Sequence, residues 1–334
     1  MAGHDLSAGD HVLFSVTGCA RASLGGWGCG PDATVSLLQV SENATFLVDD
    51  PGQGRSVLRV HRLGYHSVAA IESELRWLDA LRGAGVRTPR VLPARDGRRV
   101  VTAADPGGGP SRHCVRFEFL PGAEPPADAA HFAALGTLTA RMHAHARTWA
   151  RPAGFTRFAW DLDAAFGNSP RWGHWRRGPG VGPGEAAILS RAEETVTRRL
   201  AAYGAGPERF GLIHADLRLA NLLTSDGQTA VIDFDDCGTG WYLYDLAAAV
   251  SFFEDDPAVP ELAAAWLAGY RRGGGVVSAE DEAQIWTFIL LRRLLLLGWT
   301  GSHPAAADAA ALGAGYAAGS CELAERYLRS SPCA

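Results

Sequence analysis

One block of the chain limits its possible folds more than any other stretch. Phe210-Gly211-Leu212-Ile213-His214-Ala215-Asp216-Leu217-Arg218-Leu219-Ala220-Asn221-Leu222-Leu223 runs to the turn Ser225-Asp226-Gly227, and then to Ala230-Val231-Ile232-Asp233-Phe234-Asp235-Asp236. The pattern is HxDxxxxN, an apolar strand, a turn, a second apolar strand and an acid. Two short strands joined by that turn form a hairpin, which brings Asn221 close to Asp233 with Asp216 projecting from the loop before them. A lone Asp-x-x-x-x-Asn fits an ordinary hairpin with surface acids. The histidine, the spacing and the apolar-flanked Asp233 together favour chemistry. Phosphoryl transfer needs such a set: a carboxylate to orient the attacking hydroxyl and accept its proton, and hard oxygen ligands to hold Mg²⁺ against phosphates. Asp216 is the expected base, with Asn221 and Asp233 as metal ligands. His214 is expected to pack rather than to act as a base.

Composition removes competing chemistries. The 334 residues contain 31 basic ones, and every one is arginine. Without lysine there is no Schiff base, no Walker A loop and no SxxK site. The richness in Ala, Gly and Arg fits a genome that writes Arg for Lys, and any cation the chain needs is then an Arg or a His. Hydrophobic residues at 47% and charged residues at 20% describe a folded chain, and a net charge of −5 argues against nucleic acid or anionic membrane as partners. The six cysteines form no CxxC pair, so neither a zinc site nor a dithiol redox site is expected. Cys114 and Cys237 read as buried thiols. HExxH and GxSxG do not occur, and His143 and His145 point to different sides of a helix. The first ten residues lack a signal-peptide pattern. The most apolar run, Ile285–Trp299, is broken by Arg292 and Arg293 and is shorter than the ~20 residues of a membrane helix. A cytoplasmic, reduced protein is expected.

Periodicity divides the chain into a mixed lobe over 1–120 and a mainly helical lobe over 121–334, an α+β organisation. Gly25-Gly26-Trp27-Gly28-Cys29-Gly30-Pro31 reads as a loop, because Pro31 stands where a nucleotide-binding helix would open. Strands are expected at Val35–Val40, Thr45–Val48 and Ser56–His61. A helix over 68–83 follows, with Ile71, Leu75, Leu78 and Leu81 on one face, and then strands at Arg98–Ala103 and His113–Phe119. Helices are expected at His131–Trp149 and Glu185–Tyr203. Residues 150–184, rich in Trp, Gly, Pro and Arg, read as irregular. Most of the ten tryptophans must be core, although part of this segment is expected to border the acceptor. Glu254-Asp255-Asp256 reads as a solvated helix end.

At these residues the chain resembles the aminoglycoside phosphotransferase and choline kinase group, over nearly its whole length. The bacterial homoserine-kinase-like and stress-response-kinase-like phosphotransferases are most similar, a link strengthened by Trp160-Asp161-Leu162-Asp163 and Arg171-Trp172-Gly173-His174-Trp175. The resemblance implies a bilobal protein-kinase-like fold, with ATP (or GTP) and Mg²⁺ as cofactors. Ser41-Glu42-Asn43 resembles the turn that covers the nucleotide, which nominates Ser41 and Asn43. Arg59 in Val57-Leu58-Arg59-Val60 stands where protein kinases carry a lysine on the phosphates. Glu74 resembles the helix glutamate paired with that cation, preferred over Glu42 and Glu72. Phe117 to Gly122 resembles the hinge, whose backbone around Glu118 and Leu120 would hold adenine. Leu138 to His143 resembles the helix that opens the second lobe, and Asp245-Leu246-Ala247 the family's structural motif. Arg218 stands near the transferred phosphate, or in an internal ion pair. Asp235 replaces the glycine after Asp233-Phe234, so a loop flip of the protein-kinase kind is not expected. The implied activity is phosphate transfer to a hydroxyl of a small molecule: an antibiotic, a sugar, an amino alcohol or homoserine. A serine/threonine protein kinase and a non-catalytic nucleotide-binding regulator are the alternatives.

Overall fold

A computed structural model describes residues 8–40, 42–304 and 306–330. The chain divides into two compact units. One comprises Met1–Gly83, Thr88–Pro121 and Ala153–Thr156; the other comprises Ala84–Arg87, Gly122–Pro152 and Arg157–Ala334.

In the first unit the order is α1 (Ala8–Trp27), β1 (Thr34–Val40), β2 (Ala44–Asp50), β3 (Gly54–Val60), α2 (Val68–Gly83), β4 (Val100–Ala103) and β5 (Arg112–Glu118). The strands form one antiparallel sheet in the order β1-β2-β3-β5-β4. Side chains alternate across it. Phe46 and Val48 of β2 and Leu58 and Val60 of β3 enter one core with Val16, Cys19 and Ala20 of α1. Arg59, between Leu58 and Val60, therefore points to the opposite face of β3. On α2 the stripe Ile71, Leu75, Leu78 and Leu81 is buried, and Glu74 is buried beside it. The segment 153–156 is tied to α2 where Thr156 N donates to Ser73 Oγ at 2.9 Å.

The first helix corrects the sequence reading. Gly25, Gly26 and Trp27 are helical, and the loop begins only at Gly28. Gly28 adopts φ +69°. Its N–H donates to Gly25 O and that of Cys29 to Leu24 O, a Schellman cap that needs glycine at the left-handed position. Trp27 is held by its own indole, which donates to Leu92 O at 2.8 Å.

The second unit contains α3 (Ala129–Thr148), β6 (Ala159–Trp160), α4 (Leu162–Phe166), α5 (Pro183–Tyr203), β7 (Phe210–Ile213), β8 (Leu222–Ser225), β9 (Gln228–Val231), β10 (Gly238–Trp241), α6 (Tyr244–Ala249), α7 (Val259–Arg272), α8 (Ala279–Ala283), α9 (Ile285–Ser302), α10 (Ala307–Leu312) and α11 (Gly315–Ser330). The strands form a small sheet β6-β10-β7 and the hairpin β8-β9. Asp226 and Gly227 join the hairpin with φ +51° and +72°, the paired left-handed geometry of a two-residue type I′ turn. Residues 84–87 belong here because Val231 N donates to Arg87 O at 2.9 Å. Helix α9 is buried along nearly its whole length, which explains why it is apolar on every side except at Arg292 and Arg293. No helix among the described residues is long and apolar enough to cross a membrane.

Of two sequence expectations about side chains, the first holds and the second is corrected. Trp160, Trp172 and Trp175 are all buried, so the tryptophans of the 150–184 segment serve the core. Glu254 is not solvated; it is buried against Arg293, whose Nη1 donates to Glu254 Oε2 at 2.7 Å.

Helices α3 and α7 cross at glycines. A Cβ on Gly269 would lie 1.9 Å from Ala133 O, and one on Gly136 would lie 2.0 Å from Trp266 O. Thr137 Oγ1 donates to Gly269 O at 2.9 Å across the contact. A methyl group at Gly269 meets backbone, which cannot swing aside. Gly269→Ala is expected to cost about 1–3 kcal/mol, read as a lower thermal midpoint. An unchanged midpoint would show that the helices separate freely.

Candidate active site

Strand β7 delivers the chain into a strained loop. Ala215 has φ +68°, an uncommon conformation for a residue with a side chain. Asp245, fully buried, holds it there: Oδ1 accepts from Ala215 N at 2.7 Å and Oδ2 from His214 N at 3.1 Å. Asp245 Oδ2 also accepts from His143 Nε2 at 2.9 Å. His214 is buried and bridges the loop to the end of the hairpin. One tautomer satisfies both its contacts: Nε2–H donates to Ile232 O at 3.1 Å and Nδ1 accepts from Asp216 N at 3.3 Å.

This places Asp216, Asn221 and Arg218 in direct contact. Asn221 Nδ2 donates to Asp216 O at 2.7 Å and to Asp216 Oδ2 at 2.8 Å. Its amide nitrogen is thereby committed, and Asn221 Oδ1 is the atom left for a cation. Ile232 N donates to Asn221 O at 2.9 Å, so the residue before Asp233 is fastened to Asn221. Asp233 is exposed with φ +57°, and its Oδ1 accepts from Asp235 N at 3.4 Å. Arg218 Nε lies 3.4 Å from Asp216 Oδ2 and its Nη1 lies 3.3 Å from Asp308 Oδ2. It is thus engaged by two carboxylates while standing over the Phe252 ring.

Sequence reasoning missed the fourth partner of Asp216. Arg292 of α9 donates from Nη2 to Asp216 Oδ1 at 2.5 Å. Burial pushes the Asp216 carboxyl up, but Arg218 and Arg292 outweigh it and hold the group below the usual carboxylate range. The available signal was the pair Arg292-Arg293 inside an apolar run, since a buried arginine demands an acidic partner.

The first unit carries a second cluster. Arg59 Nη2 meets Glu74 Oε1 at 2.5 Å, with Arg59 5% and Glu74 0% exposed. Glu42 pairs with Arg62 and Glu72 with Arg99. The Phe117 ring lies 5.2 Å from the Arg59 guanidinium. Asn43 Oδ1 accepts from Arg62 N at 3.0 Å, which shapes the turn after β1. Ser41 lies outside the described residues. The Glu118 carboxylate accepts from Arg82 and from Arg90 N, and Glu118 N donates to Arg90 O. Leu120 follows β5 in irregular chain.

The Asp245 clamp has a pH consequence. Burial lowers the His143 pKa more than Asp245 raises it, with Arg147 adding to the lowering. Tyr270 OH meets Nδ1 at 2.9 Å, so the neutral imidazole is fully bonded. The unfolded chain binds a proton at His143 below its ordinary 6.5 while the folded chain does not, so stability falls as pH drops through 6.5. Urea unfolding of wild type and His143→Gln between pH 7.5 and 5.5 checks this. The variant should lose less stability over that range, and equal slopes would count against it.

Known proteins are similar to this chain. The phosphotransferase enzyme family model (APH) matches residues 35–284. A microcompartment-associated aminopropanol kinase of solved structure is 51% identical, with 93% of this chain and 97% of that one covered at a TM-score of 0.86. Amicoumacin kinase, solved with AMP-PNP, Ca²⁺ and Ami, is 21% identical over 96% of this chain and 94% of its own, at a TM-score of 0.72. A protein of Deinococcus radiodurans is 33% identical over 272 residues, 79% of this chain and 76% of that one. The chain belongs to the APH phosphotransferase family, with its protein-kinase-like α+β fold, and is a kinase that phosphorylates a hydroxyl group of a small molecule.

Proposed function

We propose that the chain transfers the γ-phosphoryl group of ATP, with Mg²⁺, to the hydroxyl of a short amino alcohol, aminopropanol first among them. The observation that carries this reading is 51% identity to an aminopropanol kinase across 93% of the chain. The donor set suits Mg²⁺: Asn221 Oδ1 and the Asp233 carboxylate are hard oxygens, and Mg²⁺ is commonly held by one or two carboxylates with phosphates and water. Charge neutralisation on the phosphate oxygens is the chemistry that Mg²⁺ supplies there. Asp216 orients the acceptor hydroxyl and takes its proton. Arg59 binds phosphate oxygens, and Glu74 fixes the direction of its guanidinium fork. Arg218 is a second cation for the transferred group, released from Asp308 when phosphate arrives. Glu118 N is already engaged by Arg90 O, so adenine would rest on the backbone of Leu120. Asn43 belongs to the turn assigned to the phosphates.

ADP release measured with aminopropanol, ethanolamine, choline, homoserine and an aminoglycoside tests the reading, with ATP and GTP compared in parallel. Aminopropanol should lead by roughly tenfold or more in kcat/KM, since one methylene group in a fitted pocket discriminates about 10–200-fold. Leadership by homoserine or an aminoglycoside would overturn the assignment.

A further inference from the structure

Arg292 is 1% exposed on a helix that is mostly apolar. A guanidinium in such a place is costly to bury unless its donors are used. All three nitrogens are. Nε donates to Ser251 Oγ at 2.9 Å, Nη1 to Ala215 O at 3.1 Å and Tyr244 OH at 3.2 Å, and Nη2 to Asp216 Oδ1 at 2.5 Å. The Trp172 ring stands 4.8 Å from it. The fork has no room to turn.

A carboxylate oxygen offers about two acceptor sites. Asp216 Oδ2 receives Asn221 Nδ2 and Arg218 Nε, whereas among the described residues Oδ1 receives Arg292 alone. The remaining acceptor site is therefore on Oδ1. The terminal torsion of an aspartate is soft, so that site points in a fixed direction only if both oxygens are held. Arg293 shows that burial on α9 does not by itself imply this role. Its guanidinium goes to Glu254, Asp255, Ser320 and Tyr316 O.

We propose that Arg292 is the positioning residue of the reaction, pinning Asp216 Oδ1 so that its open lone pair faces the acceptor hydroxyl. The proposal rests on the reading of Asp216 as the proton acceptor. In that step the acceptor O–H bond breaks and its proton passes to Oδ1. The oxygen forms a bond to the γ-phosphorus, the bridging P–O bond breaks, and ADP leaves with the electron pair. Asp216 then returns the proton to solvent. In a loose transition state little proton transfer is needed early, so orientation counts for more than basicity. That is why an arginine can sit on the base without defeating it.

A double-mutant cycle tests this on the full chain. Arg292→Met should lower kcat by about a hundredfold, the usual scale for a misplaced catalytic group, with the KM for ATP within about twofold of wild type. Arg292→Lys should recover part of the loss. In an Asp216→Ala background, Arg292→Met should lower the residual rate no further, because its effect passes through the carboxylate. Arg293→Met is the burial control: it should lower the thermal midpoint but leave kcat per folded molecule unchanged. If Arg292→Met does not fold, Arg292→Lys carries the same cycle. Additive losses at Arg292 and Asp216, or a wild-type kcat in a folded Arg292 variant, would overturn the positioning role. A fully active Asp216→Ala protein would instead sink the proton acceptor, which keeps the two failures apart.

Discussion

Asp216→Asn should lower kcat by about 10²–10⁴-fold, the usual contribution of a positioned general base. The substitution keeps the side-chain volume, so the result does not depend on a collapsed loop. The amide differs in two ways. It cannot take the hydroxyl proton, and its NH₂ group must face either Asn221 Nδ2 or Arg292 Nη2, both of which are donors to the carboxylate. One pair of donors then opposes another, and the loop loses a fixed acceptor. Asp216→Ala should show a similar loss in kcat with a larger loss of stability, because Arg292 is left buried without its counter-charge. Removing one member of a buried pair costs about 3–5 kcal/mol, and the partial exposure of Asp216 should bring the loss to the lower end. The KM for ATP should move little in either variant, since the nucleotide phosphates are assigned to other residues. Coupled ADP release at saturating acceptor measures kcat. A wild-type kcat in Asp216→Asn would remove this carboxylate from the chemistry.

The cluster around Asp216 was legible because its geometry is local. HxDxxxxN and the hairpin occupy a single run of chain, and Asp226-Gly227 can make only a few kinds of turn. Arg59 and Glu74 were nominated by the resemblance alone, and the structure pairs them between β3 and α2. The pair Arg292-Arg293 in an apolar run called for acidic partners, but nothing local named Asp216 as one of them. Arg292 lies 76 residues from Asp216 in sequence, and its apolar neighbours describe only a buried helix. Glu254 went the same way: three acids before a proline look solvated until Arg293 is folded against the first two. Helix α1 was hidden for a different reason. Its last turn contains Gly25 and Gly26, poor helix formers, and Gly28 as a cap was indistinguishable from Gly28 as loop. The acceptor was out of reach, because specificity depends on pocket shape rather than on a motif. The sequence left four acceptor classes open, and only the likeness to an aminopropanol kinase narrows the proposal.

Arg59→Ala should raise the KM for ATP by about tenfold or more, or abolish turnover, and also destabilise the protein. These two effects must be separated. Glu74 is fully buried and faces Arg59. Truncating the arginine strands its carboxylate at a cost of about 3–5 kcal/mol. A fall in activity alone would therefore say nothing about phosphate. Arg59→Lys keeps the charge as a point rather than a fork; it should hold Glu74, retain most of the stability and keep measurable turnover. The decisive variant replaces both partners, Arg59→Met with Glu74→Leu. Apolar residues in place of a buried ion pair are often neutral or stabilising, so the fold should recover to near wild type. The KM for ATP should not recover, because methionine has nothing to offer a phosphate oxygen. Thermal midpoints and ADP-release kinetics on the four proteins distinguish the outcomes. If the double variant regains both stability and a wild-type KM, the Arg59–Glu74 pair is structural and the phosphate-binding cation lies elsewhere in the chain.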